Sequence, residues 1–336
     1  MDAGLVLAVG LALAFAFTNG VQDAANSIAT LIATRAGRPG PALVMATLAI
    51  FAGPFLLGSA VASTVAGMVD VGPTETIGVV VAALVAALAW NAAAWYKGIP
   101  SSSSHALVGG LVGAALATSG SKGVNWGGLD GLRPVGVLGV LVVLATSPVV
   151  GATATLVVLR LFRRALRRGT RRFSRPVRDA QWVTSTLLSV GQGANDSQKA
   201  VGLVAAVLLA HGTTSSLEAP RWVILACSLA MAAGTLAGGW RIVRTIGRRI
   251  YDLRPLDALA GQTGSAAAIL GASIVGAPIS STHVVSSSVV GAGLGRRRYG
   301  RIRWSVVRQM GIAWVTTMPV TALIAAVVLS TWRWVT

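Results

Sequence analysis

The chain repeats two unlike motifs in the same order. The first motif, GVQDAAN at 20–26, returns as GANDSQK at 193–199. The second motif, GIPSSSSH at 98–105, returns as GAPISSTH at 276–283. The recurrence of two unrelated motifs in one order indicates a duplicated structural unit, in which both copies contribute to one composite site.

The hydropathy of the chain predicts that this duplicated unit lies in a membrane. Hydrophobic residues make up 54% of the chain and charged residues 11%, and the mean hydropathy is +0.71. Soluble domains carry about 25% charged residues, whereas apolar runs of about 20 residues, long enough to cross a bilayer, recur along this chain. We therefore predict an all-α polytopic membrane protein.

The net charge of +18 is concentrated in short segments, with nine arginines in 160–178, five in 241–254 and six in 296–308. Basic residues between spans remain in the cytoplasm because their translocation is costly. We therefore expect these loops inside, the 160–178 loop against anionic lipid head groups, and no nucleic-acid partner.

The charge bias predicts five crossings in each half of the chain. They are 4–33, 41–62, 76–95, 99–118 and 134–159, then 183–210, 221–240, 256–275, 279–295 and 304–330. An odd number of crossings inverts one copy relative to the other, so we predict two inverted-topology repeats with both termini outside. The repeats would be 1–159 and 181–336, joined by a basic cytoplasmic linker at 160–180.

Four of these segments are poor continuous helices. Segments 4–33 and 183–210 carry Gly, Asn and Asp, while 99–118 and 279–295 begin at Gly-x-Pro followed by hydroxyl side chains. Proline suits the first turn of a helix, and Ser or Thr caps its free amides. We predict broken helices and re-entrant hairpins around a polar cavity, where irregular backbone is tolerated.

Asp23 and Asp196 are the carboxylates predicted inside spans, apart from Asp257 near a membrane surface. Such a carboxylate is costly unless it is paired, protonated or facing water, so it is a functional candidate. The alternative is that each caps a broken helix or pairs with Lys199. The equivalent positions of the two aspartates favour function.

The polar groups around these aspartates predict a small oxyanion that moves together with a cation. Helix N-termini bind anions through free amides and the helix dipole, and the hydroxyl runs 101–104 and 280–282 lie at such termini. Carboxylate and amide oxygens suit Na⁺, or a proton carried by the carboxylate. The alternative for serine-rich membrane helices is close helix packing, which fits 286–288 better.

Two histidines and one lysine have two interpretations each. His105 and His283 could share a proton or orient the anion; alternatively, each could bond a neighbouring carbonyl and hold its hairpin, which is the favoured role. Lys199 could attract an anion or neutralise Asp196.

At these residues the chain resembles the inorganic phosphate transporter (PiT) family, and the similarity covers essentially the whole chain. The family signature is similar to GANDVAN, which both copies of the first motif match in part. The region 90–107 and the text NDSQK at 195–199 resemble the bacterial low-affinity branch in particular.

The resemblance implies secondary active symport of inorganic phosphate, free or as a metal–phosphate complex, by a homodimer in the cell membrane. The coupling ion would be H⁺ or Na⁺, with no other cofactor and no enzymatic activity. Carried over by position, the substrate-binding residues would be Asp23, Asn26, Ser102, Ser103, Ser104, Asn195, Asp196, Ser280, Ser281 and Thr282. The coupling ion, including any Na⁺, would lie at Asp23, Asn26, Asn195 and Asp196, with His105, His283 and Lys199 in support.

The chain departs from the family at Gln22, which replaces an Asn, and at Gln192, where the bacterial branch often has His. Gln262 also means that the second hairpin lacks an extra carboxylate, which favours H⁺ over Na⁺. The main alternative function is a sulfate or other oxyanion permease of the same fold, followed by a passive channel. A hydrolase using Ser104 and His105 is disfavoured, because adjacent helical residues point about 100° apart.

Overall fold

A computed structural model describes residues 3–166 and 174–335, which form a bundle of helices. The first half contains α1 (Ala3–Ala33), α2 (Pro39–Leu57), α3 (Ala60–Ala66), α4 (Pro73–Lys97), α5 (Ser103–Ser119) and α6 (Gly136–Ala165). The second half contains α7 (Ser174–Gln192), α8 (Gln198–Ala210), α9 (Arg221–Ala237), α10 (Trp240–Arg244), α11 (Pro255–Ile274), α12 (Ser281–Gly295) and α13 (Trp304–Val335). Short 3₁₀ turns lie at Gly120–Gly123 and Tyr299–Arg301, and π turns at Gly193–Ser197 and Thr245–Arg249.

The prediction of an all-α polytopic membrane protein is confirmed, with one small exception. Within the described ranges, α1, α2, α4, α6 and α13 are long and apolar enough to cross a membrane, and the bent pair α9–α10 would be a sixth span. The exception is a small antiparallel hairpin, β1 (Gly128–Asp130) and β2 (Arg133–Val135), in the loop between α5 and α6. Helix α5 has 17 residues and α12 has 15, fewer than the roughly 20 that a full crossing needs.

Two predicted spans are broken where the sequence analysis expected continuous helices. Segment 41–62 breaks between α2 and α3 at Gly58, and segment 221–240 breaks between α9 and α10 at Gly238. Both glycines have positive φ, +74° and +71°, a conformation that ends a helix and that other residues rarely adopt. The two breaks occupy corresponding places in the two halves of the chain.

Each half has the same series of elements. A long helix with the first motif is followed by a broken helix, a third helix, a short helix that begins in the second motif, and a final long helix. The halves interlock, since α1 packs against α9, α2 against α7, α5 against α13 and α6 against α12. The inverted orientation of the two copies remains a prediction.

The described parts of the predicted linker 160–180 are helical. Residues 160–165 continue α6, and 174–180 begin α7. The remainder, 167–173, lies outside the described residues.

The second motif forms a helix cap in both halves. The Ser102 hydroxyl accepts a hydrogen bond from the His105 amide (3.1 Å), and the Ser280 hydroxyl accepts one from the His283 amide (3.3 Å). The expectation that proline would occupy the first helical turn is wrong, because Pro100 and its counterpart at 278 precede the caps. A capping serine needs extended backbone, and Ser102 (φ −101°, ψ 110°) and Ser280 (φ −89°, ψ 100°) both have it.

The first residue of each second motif is held by a threonine from the other half of the chain. The Thr245 hydroxyl donates to the Gly98 carbonyl (2.9 Å), and the Thr64 hydroxyl donates to the Gly276 carbonyl (2.8 Å). Helix α3 and the π turn after α10 therefore fix the entrances to both second motifs.

Candidate functional site

Buried polar residues of the first half join α1 to the start of α12. Asn26 Nδ2 donates to Asp23 Oδ1 (3.0 Å) and to Thr282 Oγ1 (3.1 Å). Ser281 Oγ also donates to Asp23 Oδ1 (3.1 Å). The first motif of one half therefore contacts the second motif of the other half, as a composite site requires.

Lys199 makes the corresponding connection in the second half. Its buried ammonium pairs with the Asp196 carboxylate and donates to Ser104 Oγ (2.6 Å) and to the Ile279 carbonyl (3.0 Å). Lys199 thus links the π turn after α7 to the starts of both short helices. Of its two predicted roles, pairing with Asp196 is the one seen in the structure.

The π turn Gly193–Ser197 positions the polar residues of the second copy. Such wide turns are frequent at functional sites, since they redirect side chains without ending the helix. Here Asn195 Nδ2 donates to the Ala277 carbonyl (2.9 Å) and to Ser273 Oγ (3.2 Å). Both bonds use the amide nitrogen and leave the amide oxygen of Asn195 for another partner.

Four buried oxygens of the site have no hydrogen-bond donor within the described part of the chain. They are Asp23 Oδ2, Asn26 Oδ1, Asn195 Oδ1 and Asp196 Oδ2. The Asp23 and Asp196 carboxyl groups lie close enough to repel each other when both are charged, and the Lys199 ammonium is close enough to attract Asp23. A buried acceptor without a donor is unfavourable, so this set of oxygens is suited to a small cation or a proton.

The hydroxyl residues predicted to bind substrate occupy different places. Ser104, Ser281 and Thr282 lie inside the site through the bonds above. Ser102 and Ser280 cap α5 and α12, and Ser103 is half-buried in the first turn of α5. Direct substrate contact by the last three remains a prediction.

Asp257 has a structural role, as its predicted place near a surface allows. It is fully buried, accepts from Arg296 Nε (2.5 Å), and caps the start of α11 through the Arg254 amide (3.1 Å).

Polar residues along the second part of α1 and just after it bond to other helices, a feature that the motifs did not predict. Ser27 donates to Gln192 (2.5 Å), Thr30 accepts from Gln262 (2.9 Å), and Thr34 donates to Gln181 (2.8 Å). A polar residue every three or four positions after Asp23 was the available signal. Two of the glutamines that depart from the family pattern, 192 and 262, therefore bind neighbouring helices.

Comparison with known proteins agrees with this arrangement. The phosphate transporter family matches residues 19–325. A probable low-affinity inorganic phosphate transporter of Rhizobium meliloti is 41% identical over 97% of this chain and 97% of its own length. The corresponding proteins of Mycobacterium bovis and Bacillus subtilis are 40% and 36% identical over 96% of this chain, and over 76% and 95% of their own lengths.

A solved structure, described as the sodium-dependent phosphate transporter, matches the fold with a TM-score of 0.84. Its sequence is 25% identical, and the alignment covers 99% of this chain and 100% of the other. The family match over 19–325, the similar proteins and the shared fold lead to one conclusion. The chain belongs to the phosphate transporter family, and it is a multi-pass membrane transporter and not an enzyme.

Proposed function

We propose that this transporter moves inorganic phosphate across the cell membrane by symport with H⁺ or Na⁺. The proposal rests on the four oxygens at 23, 26, 195 and 196 for which the described residues supply no donor. A cation or proton would satisfy them. The names of the similar proteins, inorganic phosphate transporters and a sodium-dependent one, supply the anion.

Phosphate would bind where the N-termini of α5 and α12 meet. Ser104, Ser281 and Thr282 offer hydroxyl groups there, and Lys199 offers a positive charge. Free amides and the helix dipole at such termini favour anions. Two nearby carboxylates repel phosphate unless a cation or proton neutralises them. Anion and cation therefore favour each other's binding, which is the requirement for symport.

The proposed cycle is alternating access around a site at the membrane midplane that both repeats form, with the two hairpin regions, the second motifs and the helices α5 and α12 that follow them, moving around it. Opening of a hairpin would break the bond from Thr245 to Gly98 or the bond from Thr64 to Gly276. The charge pattern and the family resemblance support the remaining parts of the proposal. These are inverted repeats, termini outside, basic loops inside against anionic lipids, a homodimer, and phosphate carried free or with a metal ion.

The test is uptake of radiolabelled phosphate into proteoliposomes, with Na⁺ and pH gradients imposed separately. We expect accumulation with at least one gradient. Asp23→Asn and Asp196→Asn should each reduce it at least about tenfold, because neither amide can hold a proton or balance a cation. Asp130→Asn, at an exposed loop position, is the matched control and should transport normally.

Two results would overturn the proposal. One is failure of both gradients to drive accumulation by folded protein, and the other is normal uptake by both aspartate variants. Competition decides the substrate: if excess sulfate abolished uptake and excess unlabelled phosphate did not, the oxyanion permease alternative would be correct.

A further inference from the structure

The two second motifs bring a pair of histidine rings together. The chain has three histidines. His105 and His283 occupy equivalent positions in the two copies, and their ring centroids lie 4.4 Å apart. Both side chains are buried, with 7% and 2% of their surface exposed. The pair therefore lies between the two repeats rather than at the surface of either.

The ring of His283 lacks polar partners. Neither Nδ1 nor Nε2 of His283 has a hydrogen-bond partner among the residues that the structure describes. A buried ring without a partner is rare in proteins. Its centroid lies 4.0 Å from that of the Trp314 ring, and an aromatic face stabilises an adjacent cation. Burial without an acceptor disfavours a charge on this ring, so His283 can hold a proton only when a compensating negative charge comes near.

His105 is held in place by its own helix cap. Its Nδ1 lies 2.8 Å from Ser102 Oγ, which already accepts from the His105 amide. The Ser102 hydroxyl hydrogen is therefore free to bind Nδ1, and that bond fixes the ring against His283.

The charges near the two rings connect them to the anion site. Lys199 from α8 is within electrostatic range of His105. The carboxylates of Asp196 and Asp23 lie beside Lys199, and Asp257 on α11 is paired with Arg296 near the opposite end of α12. Charged residues of α4, α6 and α13 lie near the ends of those helices, at Glu75, Lys97, Arg160, Arg163, Arg164, Arg308 and Arg333. Lys199 is thus the buried positive charge that opposes protonation of His105.

We propose that the closely packed pair of His105 and His283 binds the coupling proton, and that phosphate bound at Lys199 promotes this protonation. The inference rests on the proposed function. Burial opposes an imidazolium here, and Lys199, although paired with Asp196, adds to that opposition at His105. A phosphate anion bound at Lys199 brings further negative charge next to the rings and so favours protonation. A proton enters from water on one side, is held on a ring nitrogen, and leaves with phosphate on the other side. A second proton is excluded because two imidazolium rings at this separation repel each other.

The first test compares two modes of transport in the same proteoliposomes. Phosphate exchange at equal pH reports substrate binding and movement, while accumulation driven by a pH gradient also needs the proton. In His283→Gln and His105→Gln, we expect the ratio of accumulation to exchange to fall about tenfold. His211→Gln is the matched control, because His211 is exposed and bonds to Thr213 (2.9 Å).

The second test does not depend on the folding of a site variant. In the His211→Gln protein the two paired rings are the remaining imidazoles, and their protonation can be followed by nuclear magnetic resonance of ¹³C-labelled histidine. We expect added phosphate to raise the pH at which one ring signal titrates, and sulfate to have a smaller effect.

The outcomes separate this inference from the proposed function. The inference would be overturned if the ratio of accumulation to exchange were unchanged in both histidine variants, or if phosphate did not change the titration of either ring signal. Accumulation by the unmodified protein with a Na⁺ gradient alone would also overturn it, while symport would stand. Loss of both exchange and accumulation in the unmodified protein would remove the proposed function itself.

Discussion

At the scale of single residues, the most consequential contact is the buried pair of Lys199 and Asp196. Both side chains are about 1% exposed. A charge buried without a partner is strongly unfavourable, whereas a pair with further hydrogen bonds is tolerated. Lys199 has such bonds, to Ser104 and to the Ile279 carbonyl. The intact pair therefore contributes little to the net free energy of unfolding, but removal of one member strongly destabilises the protein.

We expect Lys199→Met to destabilise the protein by about 3–5 kcal/mol, because it leaves the Asp196 carboxylate buried without a counter-ion. The double variant Lys199→Met with Asp196→Asn should recover most of this loss. Thermal or denaturant unfolding in detergent measures both effects. If the double variant were as unstable as Lys199→Met alone, the pair would not be the source of the cost.

Single positions also show the limits of sequence interpretation. The burial of Asp23 and Asp196 followed from their place in apolar segments, since a membrane core offers them no water. The caps formed by Ser102 and Ser280 were predicted from the sequence only in part. A serine after proline could donate a hydrogen bond to an anion or cap a helix, and which role it takes depends on where the helix begins.

At the scale of elements, close packing of helices brings the first motif into position. The glycine of each copy lies against the backbone of a helix from the other half. A Cβ atom at Gly20 would lie 2.0 Å from the Met231 carbonyl oxygen on α9, and one at Gly193 would lie 2.0 Å from that of Ile50 on α2. Small residues allow such approach between membrane helices.

We expect Gly20→Ala to destabilise the protein by about 1–3 kcal/mol, because the backbone of α9 must move to admit the methyl group. Gly10→Ala in the same helix is the control. Nothing lies within 4 Å of its Cβ position, so the change should be neutral or stabilising by about 0.5–1 kcal/mol. Unfolding in detergent compares the two variants, and equal stability would contradict the packing argument.

Contacts between elements were the part of the site least accessible from sequence. Ser27 bonds to Gln192 and Thr30 to Gln262 across long stretches of chain. No local pattern pairs these residues, because their proximity comes from the packing of α1 against α7 and α11. The contact between the His105 and His283 rings was not predicted, for the same reason.

At the scale of the whole molecule, the duplicated motifs and the apolar runs predicted the helical membrane fold correctly. Duplication indicated that two halves build one site, and the bonds from α1 to α12 agree. Breaks at Gly58 and at the Gly238-Gly239 pair were not predicted, because glycine is also frequent in continuous membrane helices. The orientation of the halves across the membrane is the next property to measure.

The distribution of charge predicts which loops face the cytoplasm. Arg296 to Arg301 should lie inside, and the loops around Asp130 and Glu218 outside, because translocation of clustered arginine is costly.

In a Cys227→Ser background, which removes the only cysteine of the chain, a new cysteine can be placed at exposed positions. Asp130→Cys and Ser215→Cys should react with a membrane-impermeant maleimide on intact cells, and Gly300→Cys should react only after the membrane is opened. Asp130 follows the fourth predicted crossing of the first half, and Ser215 follows the first predicted crossing of the second half. With five crossings in each half, both positions face outside only if the two halves have opposite orientations. Labelling of only one of them would exclude the inverted arrangement.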